Sequence, residues 1–559
     1  MKTLLPLSLC VLALFSAGTA HAQEREILAL TGASAIEELD EGEYERLEAL
    51  LAHPLSLNAT SLARLQSCGL FTRFQALSLT DYRRRNGDIR SATELGLIDG
   101  FSPESAAALA PFLSFFSAQS GNRPERQPHG HEQLLRAEWK NAGWGYAAKY
   151  RFTREGSLQA SATLRSTART EPGLPDTWSF NLALPFGTRP GQLIVGDYNA
   201  RFGQGLGLWS GFSLSGLTTA ESFARHPTGF SPSWSLSPDA PLRGAAAQMG
   251  FGRMNLSLAA AFPGLRARMD GDATAAVTAL GAGNLSWIGR NAEASATFLS
   301  GQTRRIAADF RWTPGALGFF GEAALDLRSG TAGGVGGLIW SPAYQRKLSL
   351  VLRHYPVAFD GSLCGAVRAG SRCSGESGLA VGLRLPWLRM TADYARFPAK
   401  AQAQTKWLCQ LPLTLREGLT LTPRCALRWR QGVRREEYRL EAAWTGTPWQ
   451  AKVRGDLVRC DGTAWLAYAE GGCKTERLGL FVRTGLFLVD DWDDRIYVYE
   501  RDVPGCFNVP AYYGRGYNAS LCGSLRWAHS RLYLRIGGIH YVTDKPDRSE
   551  CRLQYVADW

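Results

Sequence analysis

From about residue 132 to the C-terminus, apolar and polar side chains alternate with a period of two in one segment after another. Trp144, Tyr146, Ala148, Tyr150 and Phe152, for example, share one face, and small or basic residues occupy the other. This is the side-chain repeat of a β-strand with one apolar and one polar face. Segments with the same alternation are 158–165, 305–312, 421–430, 531–536 and 551–559. The pattern predicts a long run of antiparallel strands without an intervening helical domain.

Residues 34–116 have helical spacing instead. Apolar residues recur at helical intervals from Phe71 to Tyr82, and Gly87 is expected to end that helix. Ser91 is followed three residues later by Glu, as in a capping box, and Ser102 is followed by Pro at the first helical position. We therefore expect a small all-α domain before the strands.

The N-terminus has the features of a signal peptide. Lys2 precedes the apolar run 4–15, and Ala20-His21-Ala22 is a small-x-small cleavage site. After residue 22 there is no run of 18 consecutive apolar residues. The predicted organisation is a signal peptide over 1–22, a helical domain over 34–116, a linker over 117–131 and strands over 132–559.

Trp and Tyr at the ends of apolar faces suit the aromatic girdles of a membrane barrel better than the core of a sandwich. A sheet in lipid must close, because open edges would leave backbone groups unsatisfied. The predicted fold class is therefore an all-β transmembrane barrel. It should have an even number of strands, about 18 to 26, the last pairing near residues 132–141.

The cysteines leave their connectivity open. Cys364 with Cys373, and Cys460 with Cys473, are plausible local bridges in an exported chain. None of the ten cysteines after residue 22 has zinc-ligand spacing.

The formal net charge of +12 is unevenly distributed: −7 over 24–50, +1 over 51–120 and +17 over 121–559. Many arginines fall on the polar faces of the predicted strands. They are Arg151, Arg165, Arg305, Arg311, Arg424, Arg428, Arg430, Arg531 and Arg535. A lumen with this basic lining would attract anions, so an anionic solute is an expected partner. The alternative is that these arginines pair with acids and only fill the interior.

Other motifs predict no chemistry. The glycines of Gly203–Gly207 lack the Lys and the helix of a phosphate loop, and the long segment 201–243 could fold inward or lie outside. The acidic cluster 490–494 lacks the spacing of a calcium loop. The histidines are scattered without a catalytic arrangement. We expect no catalytic residue, metal or cofactor, and no enzyme activity.

Within the helical region, Gly69, Tyr82-Arg83, Asn86-Gly87, Ser91 and Gly100 occur in an order that resembles tandem helix-hairpin-helix domains of the competence type, which are periplasmic and bind DNA. The resemblance implies that the hairpins at Gly69 and Gly100 present backbone N–H groups to a phosphate. It makes these glycines, with the basic cluster Arg83, Arg84 and Arg85, candidate contacts for DNA or a protein partner.

Both hairpins lack the family's second glycine, reading Gly69-Leu70-Phe71 and Gly100-Phe101-Ser102. The low positive charge of the region also argues against phosphate binding. A protein contact is therefore favoured over DNA.

The chain ends on Trp559, which resembles outer-membrane barrel proteins whose assembly machinery recognises an aromatic C-terminus. The whole plan resembles a Gram-negative outer-membrane family with a helix-hairpin-helix domain before a barrel. The segments that carry the likeness are Gly196–Tyr198, Phe202–Leu206, Asp502–Gly505 and Tyr513–Gly516. The resemblance implies an outer-membrane location, contact with lipid, lipopolysaccharide and the barrel-assembly machinery, and a periplasmic N-terminal domain, but no substrate.

Three functions remain open. The leading one is a channel or translocation component whose helical domain docks a periplasmic protein or gates the pore. The second is a DNA-uptake protein, and the third is a non-conducting scaffold that anchors a periplasmic interaction domain.

Overall fold

A computed structural model describes residues 23–559 except for short gaps. The gaps are 32, 34, 40, 53, 59, 61, 63–64, 66–67, 116–128, 155–157, 172, 187–190, 212–222, 237–241, 263–276, 344, 476 and 544. The predicted signal peptide and most of the predicted linker lie outside the described residues.

The strands form one closed antiparallel barrel of 24 members. In chain order they are β1 His129–Lys140, β2 Gly143–Arg154, β3 Leu158–Arg169, β4 Thr177–Pro185, β5 Gly191–Arg201, β6 Leu242–Phe251, β7 Met254–Ala261, β8 Leu280–Ile288, β9 Ala292–Ser300, β10 Arg305–Trp312, β11 Leu317–Asp326, β12 Thr331–Ala343, β13 Arg346–Tyr355, β14 Glu376–Leu385, β15 Leu388–Phe397, β16 Gln402–Gln410, β17 Leu419–Arg430, β18 Val433–Thr445, β19 Trp449–Arg459, β20 Thr463–Lys474, β21 Leu478–Val489, β22 Gly514–Trp527, β23 Ser530–Tyr541 and β24 Arg548–Asp558. Two short pieces, Gly229–Pro232 and Leu413–Arg416, extend the ladders of β5 and β17.

The barrel closes between its first and last strands, as predicted. β24 pairs antiparallel with β1 from Glu132↔Asp558 to Lys140↔Glu550. Beyond the ladder, the backbones of His131 and Trp559 exchange two hydrogen bonds of 2.7 and 3.1 Å, and their rings stack. The even strand number lies within the predicted range. The strand region begins at His129, three residues earlier than expected, because 129–131 continue the pairing with β2.

The two ends of the barrel differ. Each connection that follows an odd-numbered strand lies at one end, and the four longest connections, 202–241, 262–279, 356–375 and 490–513, all follow odd-numbered strands. We call this the loop end. The opposite turn end carries short connections, the start of β1 and the end of β24.

The outer surface is apolar, as the alternating pattern predicts. Val453 on β19 and Leu486 on β21 are each 58% exposed, whereas their neighbours Arg454 and Phe487 are buried on the inner face. Most exposed tryptophans of the described residues lie toward the turn end, and Trp144, Trp465 and Trp492 lie toward the loop end. Those toward the turn end are Trp287, Trp312, Trp340, Trp387, Trp407, Trp444, Trp449, Trp527 and Trp559.

The described residues before the barrel include the α-helices α1 Gln23–Thr31, α2 Glu41–Ala52, α3 Arg73–Asn86, α4 Ala92–Leu95 and α5 Pro103–Leu109. Three predicted helix signals are confirmed. Gly87 ends α3 with φ 85°, Ser91 caps α4 through the N–H of Glu94, and Ser102 caps α5 ahead of Pro103. The assignment of these helices to a helix-hairpin-helix domain remains a prediction.

The remaining elements are short. Parallel strands Leu55–Ser56 and Leu113–Ser114 tie the two ends of the region together, and Ile496–Tyr497 pairs with Ala511–Tyr512 within a loop-end connection. Single 3₁₀ turns occur at Ile36–Glu38, Ala110–Phe112 and Pro398–Lys400. No helix among the described residues is long and apolar enough to cross a membrane.

The start of the connection 202–241, residues 202–211, folds into the barrel, which resolves for this part the alternative left open by the sequence. The carboxylate of Glu322 on β11 accepts hydrogen bonds from the backbone N–H groups of Gln204, Leu206 and Gly207 at 2.6, 2.9 and 2.6 Å. Because these donors point at one carboxylate, the glycine-rich turn wraps around it. A Cβ on Gly205, whose φ is +92°, would lie 2.8 Å from the backbone nitrogen of Ala366 in connection 356–375.

This packing predicts that Gly205→Ala releases the inward turn. The substitution combines positive-φ strain of about 1 kcal/mol with a backbone clash. Gly211→Ala is the matched control, since Gly211 has φ +87° but its Cβ would meet nothing nearer than 3.7 Å. We expect protease to cut within 202–211 much faster in Gly205→Ala, with the barrel still migrating as a folded species on unheated gels. Equal protection in both variants would contradict the close packing.

Candidate functional site: the occupied lumen

The N-terminal segment 23–52, here called the plug segment, contacts the inner wall of the barrel. Glu24 lies 2.9 Å from the Nζ of Lys452, and Glu37 lies 2.6 Å from Nη1 of Arg454; both basic residues are on β19. Arg389 on β15 donates to the carbonyl of Ala33 at 3.1 Å. These contacts place the plug segment in the lumen, not in a separate domain beyond it.

The plug segment also meets the connection 490–513, here called the inward loop, which enters the lumen from the loop end. The hydroxyl groups of Tyr44 and Tyr499 are 2.7 Å apart, and both rings pack near Phe507. The N–H of Tyr499 donates to Glu37, and the N–H of Gly505 donates to Glu48, each at 3.0 Å. The plug segment and this connection therefore meet inside the lumen.

The connection 490–513 is itself fixed to the wall by charge. Asp502, whose side chain is fully buried, pairs with Arg552 and lies 3.7 Å from Arg535. Arg501 pairs at 3.2 Å with both Glu24 of the plug segment and Glu470 on β20. The loop thus brings acids to the basic wall and a base to the acidic plug segment.

The electrostatic environment favours ionised carboxylates on the plug segment. Burial alone would raise the pKa of Glu37, but Arg454 and Arg439 outweigh it and hold that pKa well below its usual value. Burial likewise opposes ionisation of Glu24, and Lys452 with Arg501 lowers its pKa despite that burial. Burial raises the pKa of Tyr44 far above its usual value, so its hydroxyl stays protonated.

The candidate DNA contacts lie in the rest of the helical region, 55–115, which has its own apolar core. Side chains lie beside both glycines: a Cβ on Gly69 would lie 2.5 Å from the guanidinium of Arg46, and one on Gly100 would lie 2.8 Å from the ring of Phe74. Gly69 is half-buried and Gly100 is exposed. Arg83 donates to the carbonyl of Thr60. The other two members of the basic cluster, Arg84 and Arg85, share the carboxylate of Asp81 at 2.8 and 2.9 Å and remain exposed.

The nine arginines of the predicted basic lining belong to the inner faces of their strands, and several have acidic or carbonyl partners. Arg535 pairs with Glu500 and Glu550, and Arg151 pairs with Glu132. Arg531 lies 3.9 Å from Asp558. Acids on the strand faces are only part of this pairing, because the connection 490–513 supplies Glu500 and Asp502.

The other members of this set have different surroundings. Arg305 is fully buried and donates to backbone carbonyls of the inward connections, including that of Leu206, and Arg311 donates to the carbonyl of Arg225. Arg165 and Arg424 are half-buried, and Arg428 and Arg430 are exposed.

The structure also describes the cysteines and the acidic cluster 490–494. The ten cysteines from Cys68 to Cys551 are all free thiols, so neither plausible local bridge is formed. In the acidic cluster, Asp491 and Asp493 lie near Asp461 on the exposed surface of the loop end, and Asp494 accepts a hydrogen bond from the N–H of Gly462.

The residues that fix the plug segment were not identified from sequence. They are Glu24, Glu37, Tyr44, Glu48, Lys452, Arg454, Tyr499 and Arg501. The signal that could have found them is the opposite charge of 24–50 and 121–559, because an acidic segment is expected to contact a basic wall.

Comparisons with known proteins give likeness to barrels alone. No protein-family model matches the chain, and no curated protein matches it. Among solved structures, the P pilus usher (PapC) translocation pore is similar over 77% of this chain and 99% of its own, with 10% identity and a TM-score of 0.39. Pseudomonas aeruginosa OccK3 (OpdO) covers 77% of this chain and 95% of its own, with 10% identity and a TM-score of 0.30. These values are too low to transfer a function.

The ion pairs predict that Glu37→Gln loosens the plug segment. Loss of the charge leaves Asp456 as the acidic partner of Arg454 and weakens the contact with the N–H of Tyr499. We expect a local cost of about 2 kcal/mol, or roughly 30-fold faster amide exchange over 23–52. Glu26→Gln on α1 is the control, because Glu26 makes no ion pair with the described wall. Equal exchange in the two variants would contradict the assigned role of Glu37.

A second prediction concerns pH. Since the pKa values of Glu24 and Glu37 are lowered in the seated state, their stabilisation is complete above the usual carboxyl pKa of about 4.3 and is lost as pH falls below it. Amide exchange over 23–52, corrected for its intrinsic pH dependence, should therefore accelerate in acid. Glu24→Gln/Glu37→Gln should lose most of this dependence, and an unchanged dependence would contradict the assignment.

Proposed function

We propose that this chain is an outer-membrane channel or translocation component whose lumen is closed by its own plug segment. The observation that carries the proposal is the seating of Glu24, Glu37 and Tyr44 against the wall and the inward loop. Opening requires the plug segment to move, and the pore then passes a solute or a chain.

The outer surface supports the membrane location. An apolar exterior on a closed barrel suits lipid, because every strand has two hydrogen-bonded neighbours. The cluster of exposed tryptophans at the turn end suits one membrane interface, since indole rings prefer the headgroup region. Both termini of the barrel lie at that end, which we assign to the periplasmic side.

The nature of the contacts suits a gate. They are ion pairs, hydrogen bonds and one aromatic cluster around Tyr44, Tyr499 and Phe507. Ion pairs can exchange with water or with other charged partners, so their free energy can be recovered outside the lumen. The exposed Arg84 and Arg85 offer a place for a periplasmic protein to pull or hold the helical region.

DNA uptake and a non-conducting scaffold, the other two candidate functions, each require a different arrangement of the helical region. DNA uptake would need a phosphate to approach the hairpin backbones closely, whereas Leu70 and Phe101 stand where a second glycine would leave room. A non-conducting scaffold would keep the plug segment seated under all conditions. The contacts favour the gated channel over DNA uptake, and conductance separates it from the scaffold.

The test is conductance in planar bilayers. The wild type should be closed for most of the recording, and Glu24→Gln/Glu37→Gln should open for a much larger fraction of time. Glu26→Gln should behave as the wild type does. A double variant that never conducts would support the scaffold, and a wild type that conducts continuously would contradict closure by the plug segment.

A further inference from the structure

We infer that the surface beneath the plug segment is a binding site for an acidic polypeptide, which competes with the plug segment for it. This surface, here called the plug seat, comprises Arg439, Lys452 and Arg454 of the wall with Tyr499 and Arg501 of the inward loop. The inference rests on the proposed opening and adds the chemical class of ligand that occupies the open state.

The charge balance of the plug seat requires an acidic occupant. Arg439, Lys452, Arg454 and Arg501, with the neighbouring Arg483, make five basic side chains. The wall supplies Asp456 and Glu470, and Glu441 lies near Lys452. Glu24 and Glu37 complete the balance only while the plug segment is seated. When it leaves, these five bases outnumber the three acids by two in a confined space, which raises the local concentration of anions.

The positions of these charges suit carboxylates. Each plug carboxylate bridges two bases: Glu24 joins Lys452 to Arg501, and Glu37 joins Arg454 at 2.6 Å to Arg439 at 4.0 Å. Two such sites along one wall bind acids that are spaced along a chain. A single small carboxylic acid can occupy only one of them.

Backbone and aromatic contacts select a polypeptide over a polyphosphate. The N–H of Tyr499 donates to Glu37 beside the site of Arg454, and the hydroxyl of Tyr499 meets that of Tyr44. Phe507 lies 5.7 Å from the ring of Tyr44, measured between ring centroids. The seat therefore accepts acidic and aromatic side chains together, as the plug segment presents them.

The experiment measures binding to the full chain in detergent. The probe is a fluorescent poly-L-glutamate of about 20 residues at about 50 mM salt, followed by anisotropy. Glu24→Gln/Glu37→Gln, with the seat released, should bind it more tightly than the wild type. Adding Lys452→Gln/Arg501→Gln to this double variant should weaken its binding of the probe at least about tenfold. Adding Arg428→Gln/Arg430→Gln removes the same charge from the lumen away from the seat and should change affinity less than about twofold.

Each outcome of this experiment either supports or overturns the plug seat. Binding that depends on Lys452 and Arg501 supports the plug seat. Failure of the released variant to bind, or equal loss in the seat and control variants, overturns it. Tighter binding of a DNA oligonucleotide of equal charge through the same two residues also overturns it, in favour of a nucleic acid. Because binding is read without current, a chain that conducts but does not bind contradicts the seat alone, and one that binds but never conducts contradicts the channel alone.

Discussion

A ring of 24 strands encloses more space than its own inward side chains can fill, and that space is lined by arginine. Charged groups that leave water need partners, so whatever fills this lumen must bring acids or carbonyl oxygens. The chain meets this constraint from both ends. The plug segment supplies Glu24 and Glu37, and the inward loop supplies Glu500 and Asp502. The same contacts that hold these two segments in the lumen therefore also neutralise part of its wall.

Three of the four segments that carried the family resemblance have a place in this packing. Asp197 of Gly196–Tyr198 makes a two-pronged ion pair with Arg243 at 2.7 and 2.8 Å. Phe202–Leu206 wraps around Glu322, and Asp502–Gly505 links the wall to Glu48 of the plug segment. They are the points at which a loop turns back into the barrel.

The sequence predicted the barrel well because its alternation is local. Each strand carries its own period of two, and Trp559 with the residues near 132 specified where the ring closes. The helix ends at Gly87, Ser91 and Ser102 were also predictable, because capping depends on neighbours within three or four residues.

The contents of the lumen were not predictable in the same way. Tyr44 and Tyr499 are far apart in the chain, and nothing local marks them as partners. The sequence shows the charge of −7 over 24–50 and of +17 over 121–559. These opposite charges do not say which acid meets which base, because that depends on how the strands are arranged in the closed barrel. The α1 helix at Gln23–Thr31, which carries Glu24, lay outside the predicted helical domain.

The central claim is that the plug segment lies against the inward loop within the barrel. A photoreactive amino acid in place of Tyr44, activated in intact cells, tests it directly, because the structure puts Tyr499 and Phe507 within reach of that ring. The account predicts an intramolecular crosslink to the peptide that contains Tyr499 or Phe507, found by mass spectrometry. Crosslinks to other proteins alone, with none to the connection 490–513, would contradict it.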